Sequence, residues 1–388
     1  MKNNHSETVK NKKKSHKVLW IVFGSIAALI ALAILIIPKL LFSDYEGLPT
    51  TGPYNVKMAS AILVDESRLE TFETDGSLRE VPVYFYYPEA DAAENENSFP
   101  LVIFSHGAFG YYQSNTSTYM ELASNGYVVI SLDHPYHSFF TKDTNGKTII
   151  VNPQFMQEVM YINEMGTPEQ EIIELSHDWL DIRTADMNFV LDRVKETKEA
   201  VTVSIGENGL PDYWYINKDS STEIMEDILM ITDTEHIGLM GHSMGGAASV
   251  TVGRTRDDID AVIDLDGTML GEQFGYINGE YDFYDEAYPV PLLVISNEPH
   301  YFEAQELTDW YVNSWVLYNA EDAKSTYFKG SGHMNFTDLP LFSPALAGML
   351  GVGTVDPEEC VVKMNRLVLD YYNCYLKDIG DVVVEEGY

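Results

Sequence analysis

Residues 236–247 read HIGLMGHSMGGA, and this stretch decides how the rest of the chain is interpreted. An apolar run leads into the pattern G-x-S-x-G, which is centred on Ser243, and small residues follow it. A serine between a strand and a helix sits in a strained turn, so the positions two before and two after it must lack bulk. The pattern predicts a strand, a sharp turn and a helix, with Ser243 as a nucleophile and Gly241, His242 and Gly245 shaping the turn.

Segments of strand and helix character alternate on both sides of this turn. Strand-like runs occur at 56–64, 79–88, 100–105, 127–134, 236–240, 260–267, 291–297 and 324–330. Residues 177–194 carry apolar residues at helical spacing. The alternation predicts an α/β fold, with a mostly parallel central sheet and helices on both faces.

One long segment, residues 139–234, interrupts this alternation. It is rich in tyrosine, methionine and acidic residues and contains helix-like runs. We therefore expect a helical cap insertion over the functional site. Residues 38–55 contain many turn formers and are predicted to be a linker, which leaves residues 56–388 as the folded domain.

The first 37 residues have a composition of their own. Residues 1–17 contain six lysines and one glutamate, and residues 18–37 are twenty uncharged, mostly apolar residues. A helix of that length spans the roughly 30 Å hydrocarbon core of a bilayer, whereas the apolar region of a cleaved signal peptide is shorter. We expect residues 18–37 to be a transmembrane anchor. The lysines place the N-terminal tail in the cytoplasm and the domain outside the cell membrane.

The charge of the chain excludes one class of partner. There are 24 basic and 60 acidic residues, and the formal net charge is −36. Because several of the basic residues lie in the N-terminal tail, the rest of the chain is more acidic still. Such a surface repels nucleic acid, and we expect no nucleic-acid partner.

The two cysteines, Cys360 and Cys374, lie in one predicted helix. Fourteen helical residues separate them by about 21 Å, and a disulfide needs Cα atoms within roughly 7 Å. We therefore expect both cysteines to be unpaired.

A serine nucleophile needs a general base, and in chains with this kind of turn the base follows the acid late in the sequence. His333 meets this expectation because it lies just beyond the last predicted strand, whereas His300 follows an earlier strand. The acid can be Asp266, at the end of the strand after the turn helix, or Glu298, after the next strand. Spacing alone leaves both carboxylates open.

Two backbone N–H groups must also face the developing negative charge. Met244, which follows the serine, supplies one of them. The second is expected from Ala108, in the loop after the strand at 100–105, and His106 and Gly107 shape that loop.

The stretch DHPYH, residues 133–137, contains two histidines at a spacing that also occurs in metal sites. A proline lies between them and a strand precedes them, which favours a loop and a structural or pocket-lining role. We expect no metal and no cofactor.

The chain resembles the platelet-activating factor acetylhydrolase family of the plasma and intracellular type II kind. The matching segments, in family order over roughly residues 50–340, are TGPYNV, REVPVYFYYP, VIFSHGAFG, LASNGYVVISLDHPYHS, GHSMGG, LDG and GSGHMNFTDLP. The histidine segment, with NF-x-D after it, is the most specific of these, since the serine turn is shared with many hydrolases.

The resemblance implies an α/β-hydrolase fold and a calcium-independent serine ester hydrolase acting on short-acyl phospholipids or related lipid esters. It favours Asp266 over Glu298 as the acid, and it implies Ala108 and Met244 as the oxyanion donors. A cutinase-like, polyester or dienelactone-type hydrolase is an alternative within enzymes. A non-catalytic surface binding protein is the alternative from another class, and the presence of Ser243, Asp266 and His333 in the right order argues against it.

Overall fold

The computed structural model describes residues 41–203, 209–307 and 311–388. Its strands are β1 (Val56–Leu69), β2 (Leu78–Pro88), β3 (Phe99–Ser105), β4 (Val128–Leu132), β5 (Phe140–Lys142), β6 (Thr148–Ile150), β7 (Trp214–Ile216), β8 (Thr232–His242), β9 (Ala261–Leu265), β10 (Gln273–Ile277), β11 (Glu280–Phe283), β12 (Leu292–Asn297) and β13 (Ala323–Phe328).

Nine of these strands form one sheet in the order β13-β12-β9-β8-β3-β4-β2-β1-β7. The six strands from β13 to β4 are parallel to one another, and β2, β1 and β7 continue the sheet by antiparallel pairing. Because the carboxyl ends of the parallel strands meet at one edge, the loops that follow them lie close together.

The α-helices are α1 (Thr116–Ser124), α2 (Pro153–Ile162), α3 (Glu169–Val203), α4 (Thr222–Ile231), α5 (Met244–Thr255), α6 (Glu298–Glu306), α7 (Val312–Asn319), α8 (Leu339–Phe342), α9 (Pro344–Met349) and α10 (Pro357–Lys377). Short 3-10 helices occur at Leu270–Glu272 and His333–Phe336. Local sequence sets several boundaries. Asp356, for example, caps α10 by accepting a hydrogen bond from the Glu359 amide, and Pro357 follows it.

The sheet has an apolar core on each face, because successive strand residues point to opposite sides. On one face, Leu101 and Ile103 of β3 pack with residues of α3, α4 and α5. On the other face, Val102 and Phe104 pack with residues of α1 and α10. The predicted α/β architecture, with a mostly parallel sheet and helices on both faces, is confirmed.

Several elements differ in extent from their predictions. The strand before the serine turn is longer than 236–240, and the helix predicted at 177–194 extends over 169–203. Hydrophobic periodicity marks the buried part of an element, whereas the polar ends extend beyond it. Cys360 is buried and Cys374 half-buried, and both are unpaired, as predicted.

The segment 139–234 contains the hairpin β5–β6, helices α2, α3 and α4, strand β7 and the start of β8. Strand β7 pairs with β1 at the sheet edge, and α3 packs on α5. Part of the segment therefore belongs to the sheet layers, and its assignment as a cap stays a prediction.

The predicted anchor at residues 18–37 lies outside the described residues. Among the helices that the structure describes, none combines the length and the apolar character that a membrane span requires.

Candidate active site

Ser243 lies at the carboxyl end of β8, where the chain turns sharply into α5. Its backbone has φ 56° and ψ −125°, a conformation that residues other than glycine rarely adopt. The turn is tight, because a Cβ atom on Gly241 would collide with the backbone of Gly245, and one on Gly245 with the carbonyl of Ser105. The strained turn leaves Ser243 half-buried rather than enclosed.

Asp266 follows β9 directly and also has a positive φ, 57°. Its amide donates to the carbonyl of Ile295 in β12 at 2.8 Å, which ties the turn to the neighbouring strand. The buried carboxylate accepts a hydrogen bond from His333 Nδ1 at 2.6 Å, and the Asn297 amide donates to it at 2.7 Å. With Nδ1 directed at Asp266, the Nε2 atom of His333 is left for another partner.

A second imidazole reaches the same carboxylate, since His300 Nδ1 lies 3.0 Å from Asp266 Oδ1. Burial opposes ionisation of Asp266, but the hydrogen bonds from His300 and His333 hold its pKa well below the ordinary value. The same hydrogen bond to Asp266 raises the pKa of His300. Asp266 is therefore ionised at neutral pH. His300, the alternative general base in the sequence, is a hydrogen-bond partner of Asp266.

The alternative acid, Glu298, has a different partner. It begins α6, and its Oε2 atom accepts a hydrogen bond from the amide of Gly330 at 2.8 Å. This contact supports the turn between β13 and His333. Since no hydrogen bond joins Glu298 to His333 in the described part of the chain, the geometry favours Asp266 over Glu298.

The backbone around His333 is held by two further side chains. His242 Nε2 donates to the His333 carbonyl at 3.1 Å, and burial lowers the pKa of His242 to about 3, so its ring is neutral. Asn335 Oδ1 accepts from the amides of Gly332 at 2.9 Å and Gly353 at 2.7 Å. His242 thus connects the serine turn to the histidine loop.

The two expected oxyanion donors flank Ser243. A Cβ atom on Gly107 would lie 3.3 Å from Ser243 Cβ, so the loop that carries Ala108 lies against the serine turn. Within residues 41–203, 209–307 and 311–388, the Ala108 and Met244 amides donate no hydrogen bond, and Ser243 Oγ forms none. These groups are available to a bound molecule.

Residues of the 139–234 segment cover this region. Phe155 of α2 and Trp179 of α3 are buried in a small apolar cluster, against which the partly buried Ala108, Phe109 and Met244 pack. Apolar side chains therefore surround the two free amides, with Phe109 and Met244 partly exposed and Phe155 and Trp179 buried behind them.

A fully buried polar network lies behind the loop after β3. Ser105 Oγ is 2.9 Å from His134 Nε2, and His134 Nδ1 is 3.0 Å from Asp186 Oδ2. Arg79 donates to both oxygens of Asp186, at 3.0 and 2.6 Å. The sequence predicted a structural or pocket-lining role for DHPYH, but the roles of Asp186 and Arg79 were not predicted. The one available signal was an acidic residue on the apolar side of a helical pattern.

Metal-ligand spacing occurs at one place in the described residues. One ligand atom from each of Asp266, His300 and His333 lies within 4.8 Å of the others. The Nδ1 atoms of both histidines are already hydrogen-bonded to the carboxylate. The cluster is fully explained by these hydrogen bonds, and no metal is needed to account for it.

Residues 75–382 match the family described as platelet-activating factor acetylhydrolase, isoform II. The match covers more than half of the chain and includes Ser243, Asp266 and His333. The chain belongs to this family. The predicted resemblance to this family is confirmed.

Individual relatives agree with this assignment. The chain is 26% identical over 286 residues to a platelet-activating factor acetylhydrolase of Gallus gallus, and the match spans 72% of this chain and 62% of that protein. It is 23% identical to a probable 1-alkyl-2-acetylglycerophosphocholine esterase of Arthroderma benhamiae, across 58% of this chain and 47% of the relative. The matched region is therefore less than two thirds of the length of either relative.

A solved structure shares the fold. The ferulic acid esterase from Streptomyces cinnamoneus aligns with a TM-score of 0.60 and 20% identity, over 87% of this chain and 95% of the esterase. At this identity the likeness concerns the architecture alone.

Proposed function

We propose that this protein is a serine ester hydrolase in which Ser243 is the nucleophile, His333 the general base and Asp266 the residue that orients His333. The observation that carries the proposal is the Asp266 carboxylate, 2.6 Å from His333 Nδ1, beside a strained serine turn. Family membership supports the same chemistry.

In the first half of the reaction, Ser243 Oγ attacks the carbonyl carbon of the ester and passes its proton to His333 Nε2. Hydrogen bonds from catalytic groups often tighten only in the substrate complex, so the unpaired hydroxyl is compatible with this step. The tetrahedral oxyanion accepts hydrogen bonds from the Ala108 and Met244 amides. Asp266 stabilises the imidazolium that forms.

The first half ends when the intermediate collapses: the ester C–O bond breaks, and His333 gives its proton to the departing alcohol oxygen. In the second half, water attacks the acyl-serine and passes a proton to His333. The bond between the acyl carbon and Ser243 Oγ then breaks, His333 returns the proton to Oγ, and the acid is released. Every proton moves between Ser243, His333, water and substrate, so the cycle needs neither metal nor cofactor.

The substrate we propose is a lipid ester with a short acyl chain, such as an acetyl phospholipid. Support comes from the names of the relatives, a platelet-activating factor acetylhydrolase and a 1-alkyl-2-acetylglycerophosphocholine esterase. The partly buried Phe109 and Met244, which pack against the buried cluster of Phe155 and Trp179, suit an acyl or alkyl chain. The predicted anchor at residues 18–37 would hold the domain at the outer face of the cell membrane, next to such lipids.

The test is hydrolysis of p-nitrophenyl esters from acetyl to octanoyl by the full chain in detergent, beside Ser243→Ala. We expect cleavage of the shortest esters, loss of activity in the variant, and no effect of a calcium chelator. Acetyl release from a 1-alkyl-2-acetyl phospholipid then tests the lipid substrate.

Labelling of Ser243 by a fluorophosphonate gives an independent readout. A folded protein that cleaves no ester and leaves the probe unreacted would contradict the proposal and favour a binding role. A preference for octanoyl esters would retain the nucleophile and overturn the short-acyl substrate.

A further inference from the structure

Arg183 lies in the middle of α3 and is completely buried. In the described part of the chain it forms no salt bridge with a carboxylate. Burying an arginine charge without a direct counter-charge is costly, so hydrogen bonds to its guanidinium must offset the loss of hydration. The positions of its hydrogen-bond partners indicate what Arg183 does.

The guanidinium of Arg183 is directed at the loop after β3. Its Nη1 atom donates to the carbonyl of His106, its Nη2 atom lies 3.4 Å from the carbonyl of Gly107, and its Nε atom lies 3.4 Å from His137 Nδ1. Two consecutive backbone carbonyls are therefore held by one rigid, planar cation.

The Gly107 carbonyl belongs to the same peptide unit as the Ala108 amide. In a planar trans peptide the C=O and N–H bonds point in opposite directions, so fixing the carbonyl also fixes the N–H. His106 Nδ1 donates to the same carbonyl at 2.7 Å, and the Gly110 amide donates at 3.1 Å. The direction of the Ala108 N–H is thus fixed by the hydrogen-bond donors on the Gly107 carbonyl, one of which is the positively charged Arg183.

The charge persists at neutral pH. Burial lowers the pKa of Arg183 to about 9, with Asp186 opposing the shift. Burial also lowers the pKa of His106 and of His137 well below the ordinary histidine value, so both rings are neutral. The neutral His106 ring donates a hydrogen bond through Nδ1. The positive charge beside the Gly107–Ala108 peptide, which carries the proposed oxyanion donor, therefore comes from Arg183.

We propose that Arg183 is a positioning residue for the oxyanion donor: it orients the Gly107–Ala108 peptide and polarises its N–H toward the developing negative charge. The inference rests on the proposed function. It gives the 139–234 segment a role in catalysis, because α3 reaches through the interior to the loop beside Ser243. Hydrogen bonds in series polarise one another, so a cation on the carbonyl strengthens the amide as a donor.

Arg79 offers a matched control, since it is the other buried arginine of the network. It contacts Glu70, Asp186 and the carbonyl of Pro135, and none of its hydrogen bonds goes to the loop of residues 106–110. The test compares Arg183→Lys with Arg79→Lys in the full chain. Lysine keeps the charge in both, but its single ammonium cannot hold two carbonyls in the geometry of a guanidinium.

We expect Arg183→Lys to lose about 10²-fold in kcat, with KM changed less than threefold, because removing one oxyanion donor costs about 10²–10³-fold. Affinity for an alkyl trifluoromethyl ketone, which forms a tetrahedral adduct with the serine, should fall by the same factor. Arg79→Lys should keep kcat within about twofold of the wild type while its denaturation midpoint falls. If Arg183 were purely structural, Arg183→Lys would behave like Arg79→Lys, with a lower denaturation midpoint and a nearly unchanged kcat.

Arg183→Gln keeps the test decisive should the lysine variant not fold, because it removes the buried charge and retains one amide donor. It is expected to lose kcat and ketone affinity together. If either folded Arg183 variant keeps wild-type kcat while Ser243→Ala is inactive, this inference is overturned and the proposed function stands. If the wild type has no Ser243-dependent activity, the proposed function fails and this inference falls with it.

Discussion

In the described part of the chain, two arrays of a serine, a histidine and an aspartate lie at neighbouring strand ends, and they differ in hydrogen bonding, exposure and charge. Ser105, His134 and Asp186 are linked by contacts of 2.9 and 3.0 Å, and all three are completely buried. In the other array, His333 Nδ1 is 2.6 Å from the acid, the histidine side chain is 33% exposed and the serine is half-buried. The array with the more complete hydrogen bonding is the one that substrate cannot reach.

Charge separates the two arrays as clearly as access does. Asp186 is paired with Arg79 and Arg68, so its negative charge is already compensated. Burial lowers the pKa of His134 to about 4, with Arg183 adding to the effect, and this histidine cannot take up a proton at neutral pH. Within the described residues, the partners of Asp266 are imidazole and amide groups rather than arginine or lysine, which leaves its charge available to stabilise an imidazolium.

Backbone conformation supports the same distinction. Ser243 and Asp266 both have positive φ, whereas Ser105 ends a regular strand and is absent from the residues with that geometry. Strained backbone of this kind concentrates at functional sites. Hydrogen bonding among a serine, a histidine and an aspartate therefore does not identify a catalytic triad by itself. A triad also requires that substrate can reach the serine, that the charge of the acid is not already paired with a cation, and that free amides lie beside the serine.

Alanine at each serine gives the largest contrast. Ser243→Ala should reduce kcat by about 10⁶-fold, the loss typical of a missing nucleophile. Ser105→Ala should leave kcat within about twofold and lower the free energy of unfolding by about 1 kcal/mol, the worth of one buried hydrogen bond. Ester hydrolysis and urea unfolding measure both. An inactive but stably folded Ser105→Ala protein would reverse the assignment of the two arrays.

Asparagine at each acid should separate catalysis from stability. Asp266→Asn is expected to lower kcat by about 10⁴-fold, because it disturbs the histidine tautomer and removes the charge that stabilises the imidazolium. Asp186→Asn leaves Arg79 without its bidentate partner and should lower the free energy of unfolding by about 3–5 kcal/mol, with kcat of the folded protein retained. Equal losses of activity in the two variants would mean that the buried network takes part in the reaction.

The array that we propose as active could largely be predicted, because its signals are local. The glycines around Ser243 lie within two residues of it, and His333 sits in a short segment just after a strand. Asp266 and Glu298 could not be separated by spacing, since they follow strands that are neighbours in the sheet. The difference arises from three-dimensional geometry: Asp266 turns toward His333 with positive φ, and Glu298 turns into a helix and binds Gly330.

The buried array was not predictable, because its partners are far apart in sequence. Asp186 is 52 residues from His134 and 107 from Arg79. The position of Asp186 on the apolar side of a helical pattern indicates that it faces inward, but the pattern does not identify the partners that it meets when α3 packs into the core. The role proposed for Arg183 was hidden for the same reason.

His300 provides the smallest and most specific test of the comparison, because it is a second imidazole on Asp266, beside His333. The hydrogen bond to Asp266 raises the pKa of His300, which favours its protonated form at acid pH, and its ring centre lies 6.1 Å from that of His333. A positive charge on His300 opposes the imidazolium that forms on His333, by about 0.7 kcal/mol with the dielectric constant of water, or about threefold in rate.

His300→Asn keeps an N–H for Asp266 and removes the charge. We therefore expect its kcat/KM to exceed that of the wild type by about threefold at acid pH and to equal it above the pKa of His300. A ratio that stays constant across the pH range would show that Asp266 tolerates a second cation, as Asp186 does, and the electrostatic half of the contrast between the two arrays would be lost.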